Sequence, residues 1–117
     1  MVAGVVCQVF IAGKTLFGPL QGLRTTKSGL VDPETTSYVW EVFGEESDSL
    51  VIDCRNEQHS NWLMFVKRAR SSREQNLVVF QQQQDIFFIT IKDVQPGTEL
   101  LYWYAADYAK VLGERLF

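Results

Sequence analysis

The apolar residues of this chain fall in short runs, rich in β-branched and aromatic types, and turn formers close each run within a few residues. A helix of ordinary length needs apolar positions three and four apart over roughly ten residues. Short runs that end on Gly, Pro, Asn, Asp or Ser make strands instead. Val5–Ile11 is the first such run. Ser37–Phe43, turned back by residues 44–49 into Leu50–Cys54, makes a hairpin. Leu77–Phe80 and Ile86–Ile91 make a second around four glutamines, Gln81–Gln84. In Gln95-Pro96-Gly97-Thr98 the Pro and Gly occupy the positions a type II turn requires, and Glu99–Tyr104 follows as a strand. Helical spacing is brief. Ser60 or Asn61 can cap a segment from Trp62 to about Lys67, and Asp107–Leu112 ends at Gly113. Leu16–Gly22 is too rich in Gly and Pro for regular structure, and residues 23–36 read as a long loop. The expected class is mainly β with short helices and no βαβ alternation.

Length and composition narrow the options further. At 117 residues the chain is one domain, 1–117, with enough surface to bury for a core of its own. No apolar stretch approaches the length of a membrane span. Met1-Val2-Ala3-Gly4 lacks a basic n-region, so it does not read as a signal peptide; an excised domain with an added initiator methionine is expected. The net charge of −3 argues against a domain that binds nucleic acid directly. Cys7, Cys54 and the single histidine, His59, do not make up a metal-ligand set, and two cysteines fit a reducing compartment.

No esterase, phosphate-loop or zinc-protease motif is present, and His59 among polar loop residues reads as surface. Gly18 either lets the backbone approach a ligand or shapes an irregular turn. Lys67, Arg68, Arg70 and Arg73 form a basic cluster in an acidic chain, either a solvated face or a site for an acidic peptide or phosphate. In Tyr102-Trp103-Tyr104, strand alternation puts the two tyrosines on one face and the tryptophan on the other. A tyrosine hydroxyl in an apolar groove can align an amine, although a structural role is as natural.

Four motifs stand in a particular order: Phe17-Gly18-Pro19-Leu20-Gln21-Gly22, Asn61-Trp62-Leu63-Met64-Phe65-Val66, Glu74-Gln75-Asn76-Leu77-Val78 and Pro96-Gly97-Thr98-Glu99-Leu100-Leu101-Tyr102-Trp103-Tyr104. Their order and spacing resemble the PR domain, the SET-related domain of the PRDM zinc-finger proteins, from about Val9 to Gly113. The resemblance implies a SET-like fold of several small antiparallel sheets with a knot-like crossing near the C-terminus. It implies a nuclear transcription regulator whose zinc fingers, outside this chain, contact DNA. Some PR domains are protein-lysine methyltransferases that use S-adenosylmethionine; others dock chromatin proteins, corepressors or coactivators.

The resemblance also assigns site residues. Tyr104 matches the tyrosine that orients the target amine of a histone tail or other protein lysine. Tyr38 and Phe88 match the substrate channel, with Phe88 where an active relative carries tyrosine. Asn61 and Trp62 match the segment that contacts S-adenosylmethionine. Two departures point away from catalysis. Val6-Cys7-Gln8 stands in place of a Gly-x-Gly turn that closes on the cofactor, and Lys67-Arg68-Ala69-Arg70 stands in place of Asn-His-Ser-Cys, putting cations near a sulfonium. The favoured expectation is an interaction module, with a homodimer among its possible assemblies. The alternative is a lysine methyltransferase.

Overall fold

Residues 77–82 and 85–90 alternate buried and less buried positions almost without a break, and they pair antiparallel from Leu77 opposite Thr90 to Gln82 opposite Asp85. This hairpin is the centre of the molecule. The computed structural model describes residues 4–32, 37–44 and 50–116. In chain order the strands are β1 (Leu16–Phe17), β2 (Leu23–Thr26), β3 (Val39–Val42), β4 (Leu50–Asp53), β5 (Lys67–Arg68), β6 (Leu77–Gln82), β7 (Asp85–Thr90) and β8 (Leu101–Tyr104), followed by one α-helix, α1 (Ala106–Leu112). Five strands form one sheet in the order β1-β7-β6-β8-β5, and three form another in the order β2-β4-β3. The glutamine turn is tight because Gln83 adopts φ 55°.

The last strand does not lie at an edge. β8 runs parallel to both of its neighbours, β6 and β5, so the C-terminal part of the chain is laid into the interior of the sheet. Asn76, only 2% exposed, fixes that insertion. Its Nδ2 donates to the Glu99 carbonyl at 2.9 Å, its Oδ1 accepts from the Leu101 amide at 2.8 Å, and its own amide donates to the Leu101 carbonyl at 3.0 Å. One side chain thus fixes the register of β8 against the start of β6. The core behind it is apolar, with Leu77, Ile86, Phe88 and Leu100 all but inaccessible.

Two expectations require correction. Val5–Ile11 is not a strand. It makes single bridges, Val6 to Glu99 and Ile11 to Val94, and leaves Val9 and Phe10 largely exposed. The turn after Val94 takes its backbone groups instead: the Cys7 amide donates to Thr98, and the Gly97 amide donates to Cys7. Conversely, residues 23–26 are not loop but strand β2, paired with β4 from Leu23 opposite Asp53 to Thr26 opposite Leu50. Turn residues on both sides hide this strand in the sequence, and three of its four side chains are polar, Arg24 bonding to Asp85 at 2.7 Å. Arg55 ties down the next stretch by donating to the carbonyls of Val31 and Asp32.

Smaller differences follow the same logic. The segment from Trp62 is a 3-10 turn ending at Phe65, and Lys67 has already joined β5. Phe17 pairs with Phe88 in the stretch expected to be irregular. Of the first hairpin's turn, residues 45–49 lie outside the described residues. Helix α1 ends as its sequence predicts, on Gly113 at φ 77° with its amide returned to Ala109 and Lys110. Among the described residues no helix is long and apolar enough to cross a membrane.

Replacing Asn76 with alanine strips two hydrogen bonds and strands the Glu99 carbonyl and Leu101 amide in the interior. Urea denaturation of Asn76→Ala is expected to show a loss of about 2–4 kcal/mol, because an unmet buried group costs more than the net worth of its bond.

Candidate functional site

Strand β3 and the residue before it, the 3-10 turn, β5, β8 and α1 each contribute side chains to one cleft of about 670 Å³. Tyr38 reaches it from an unusual backbone: φ is 68°, a left-handed conformation uncommon for a side chain of this size. Its carbonyl accepts from the Cys54 amide at 2.8 Å, which anchors the residue, and its ring, 45% exposed, meets Phe65 edge to face at 6.3 Å. Trp40 follows on β3. From β8 come Tyr102 and Tyr104, which share a face as strand alternation requires, with ring centroids 5.7 Å apart. Tyr108 completes the wall from α1; its hydroxyl donates to the Glu41 carbonyl at 2.6 Å.

The rings form a connected series. Trp40 touches Phe88 at 5.7 Å and Tyr102 at 5.3 Å, and Tyr104 touches Tyr108 at 5.9 Å. Burial, together with the neighbouring Tyr104 phenol, pushes the Tyr102 hydroxyl far above its ordinary range. Burial does the same for Tyr108, with help from Tyr104 and Glu41. Both hydroxyls therefore stay protonated and act as neutral groups across the physiological range.

The cleft also holds charge. Arg68 on β5 lies with its guanidinium 4.8 Å from the Trp103 ring centre and 5.6 Å from that of Tyr104, and it pairs with Glu114 at 3.3 Å. Lys67 lines the same cleft, as does Lys27, which pairs with Glu41 at 3.2 Å. Among the described residues Glu41 is the single carboxylate that lines it.

The residues singled out from sequence separate into two groups. Tyr38 and Tyr104 meet in the cleft. Phe88 does not reach it: wholly buried, it stands one layer behind, against Trp40 and Tyr102. Asn61 and Trp62 also lie off the cleft, holding the Phe17–Gln21 segment. Asn61 donates to the Pro19 carbonyl at 3.0 Å, and Trp62 meets Phe17 at 5.4 Å. Gly18 belongs to that segment; at φ 135°, a Cβ there would come within 2.8 Å of the Phe87 ring, so the glycine serves packing. Val6-Cys7-Gln8 does not line the cleft either, and the Cys7 thiol donates to the Gln95 carbonyl. His59 is exposed, and no cluster among the described residues could hold a metal. Trp40 and Tyr108 were missed in sequence; Trp40 sits in a strand that alternation alone reads as core, and Tyr108 on a helix of two turns.

A family model for the PR domain of PR domain zinc finger protein 2 matches residues 1–115. The chain belongs to the PR domain family. Curated relatives include PR domain zinc finger protein 10 of Danio rerio, 38% identical over 97% of this chain, and PR domain zinc finger protein 15 of Homo sapiens, 36% identical over 92%. The chain spans 10% and 9% of those two proteins. Among solved structures, the methyltransferase domain of human PR domain-containing protein 2 matches with TM-score 0.74 and 33% identity, covering 88% of this chain and 68% of that one. The SET domain of the RIZ1 tumour suppressor matches at TM-score 0.66 and 32% identity, covering 86% of this chain and 60% of that one. A ctPRC2 structure, autoinhibited and bound to S-adenosylmethionine, shares the fold alone at TM-score 0.66 and 17% identity, covering 94% of this chain and 15% of that one. The PR domain here is thus a SET-like, mainly β fold.

The residues of this PR domain do not fit the charge of S-adenosylmethionine well. Its sulfonium is a cation, and Arg68, about half exposed at the cleft's rim and paired with Glu114, sets a guanidinium 5.6 Å from the Tyr104 ring centre. Like charges repel, and the guanidinium opposes a second cation on that ring face.

The buried thiol supplies a pH test. Burial pushes Cys54 up to about 11 from 9.0, a rise opposed by a bond with Ser60 and reinforced by Asp53. A folded-state pKa above the unfolded one gives stability that is complete below the unfolded value and drains away as pH climbs through the folded one. Tyr102 and Tyr108 act with the same sign. The urea midpoint should therefore fall as pH rises from 9.0 towards about 11, and fall less steeply in Cys54→Ala.

Proposed function

We propose that the chain is the PR module of a longer, nuclear zinc-finger transcription regulator and that it works mainly as a surface for chromatin, corepressor or coactivator proteins, with weak or absent methyl transfer. The observation that carries this reading is the position of Arg68. A guanidinium over Tyr104 occupies the aromatic face beside which a methyl donor and a target amine, both of them cationic before reaction, would have to lie. The family membership supports the rest, since the relatives are zinc-finger proteins many times the length of this chain.

A second reading, lysine methyl transfer, is favoured by the meeting of Tyr38 and Tyr104 in one cleft. Methyl transfer to an amine depends on alignment and on loss of the amine proton, and two phenols lining one cleft suit alignment. Titration calorimetry with S-adenosylmethionine separates the two readings. The expected outcome is no measurable heat at millimolar donor. Saturable heat, together with labelled methyl incorporation into a histone-tail peptide that disappears in Tyr104→Phe, would establish the enzyme instead.

A further inference from the structure

We infer that the cleft, together with the outer edge of β5, receives an extended acidic segment of a partner protein, whose carboxylates pair with Lys67 and Arg68. This rests on the interaction-module reading and names the chemistry of the partner.

Charge favours an acidic occupant. The chain as a whole is acidic, at −3, yet the cleft runs against that sign. Among the described residues three cations line it, Lys27, Lys67 and Arg68, against one carboxylate, Glu41, which Lys27 already neutralises. Lys67 is exposed and has no ion-pair partner among the described residues. Arg68 is held by Glu114, but both side chains are substantially exposed, 49% and 37%, and a pair of that kind is worth little. An incoming carboxylate can replace Glu114 at small cost. The stacking of Arg68 on Trp103 keeps the guanidinium in place for that exchange.

Backbone geometry supplies the other half. β5 is the edge of the five-stranded sheet among the described residues, with β8 on its inner side. An edge strand presents amides and carbonyls to which an extended peptide can add. A segment laid there runs beside Lys67 and Arg68, which alternation turns to opposite faces of β5, so its carboxylates meet a cation on whichever face they occupy. A basic segment at the same edge would meet the cleft's excess of positive charge.

Fluorescence anisotropy tests this with a labelled peptide that alternates aspartate or glutamate with apolar residues. Its counterparts carry asparagine and glutamine, or lysine, at the acidic positions. The acidic peptide is expected to bind best, and to weaken as salt rises from about 0.1 to about 1 M, where the screening length shrinks from about 10 to about 3 Å. Lys67→Glu should weaken it roughly three- to tenfold, since charge reversal at a rim position removes one attraction and adds one repulsion. Lys14→Glu makes the same change in net charge outside the cleft and should leave binding unaltered, which also controls for any effect on the fold. Equal binding of the acidic and amide peptides, tighter binding of the lysine peptide, or equal loss in the two lysine variants would overturn the inference. None of these outcomes bears on the donor calorimetry, so a failure here remains distinct from a failure of the interaction-module reading.

Discussion

The insertion of the last strand into the middle of a sheet depends on a single buried amide. Strand β8 has a neighbour on each side, and neither is its neighbour in sequence. Hydrophobic burial brings such strands together without choosing their register, because apolar contact has no direction. Asn76 supplies the direction. It spends both ends of its carboxamide on the backbone of residues 99 and 101, so a slip of one residue would leave a donor and an acceptor unmet in the interior. Everything the cleft contains from β8, Tyr102 and Tyr104 above all, faces the way it does because that register is held.

The cleft is built on a contradiction between shape and charge. Its rings come from elements of both sheets and from α1, and rings of this kind attract cations. A cation of the chain itself already sits there. Arg68 stacks on Trp103 and approaches Tyr104, reached from a strand only two residues long. The architecture is shared with the methyltransferase domain of human PR domain-containing protein 2, but what the cleft attracts is set by these few side chains.

How much of this could be read from sequence depended on whether the decisive force was local. The β6–β7 hairpin was legible because two apolar, β-branched and aromatic runs adjoin in sequence, and the glutamine turn marks its tip. The end of α1 was legible because a left-handed residue at a helix terminus is nearly always glycine. Val5–Ile11 misled, since its apolar residues suggest a continuous partner while its amides bond to a distant turn. Residues 23–26 misled in the opposite way, an edge strand disguised by polar side chains. The resemblance to the PR domain brought Tyr38 and Tyr104 together, which spacing alone could not do. It did not reveal that Asn61 is engaged with the Pro19 carbonyl or that Phe88 lies behind the wall, because both facts depend on contacts between segments remote in sequence.

Trp40 stands where the two sheets meet. It belongs to the smaller sheet, yet it leans on Phe88 and Tyr102 of the larger one, and the same indole surface borders the cleft. Widening the opening would therefore drag on the interior seam between the sheets. Occupancy of the groove and cohesion of the whole molecule are coupled variables: a guest that seats itself against this ring should be felt as added resistance to heat, growing with the logarithm of its concentration above its dissociation constant.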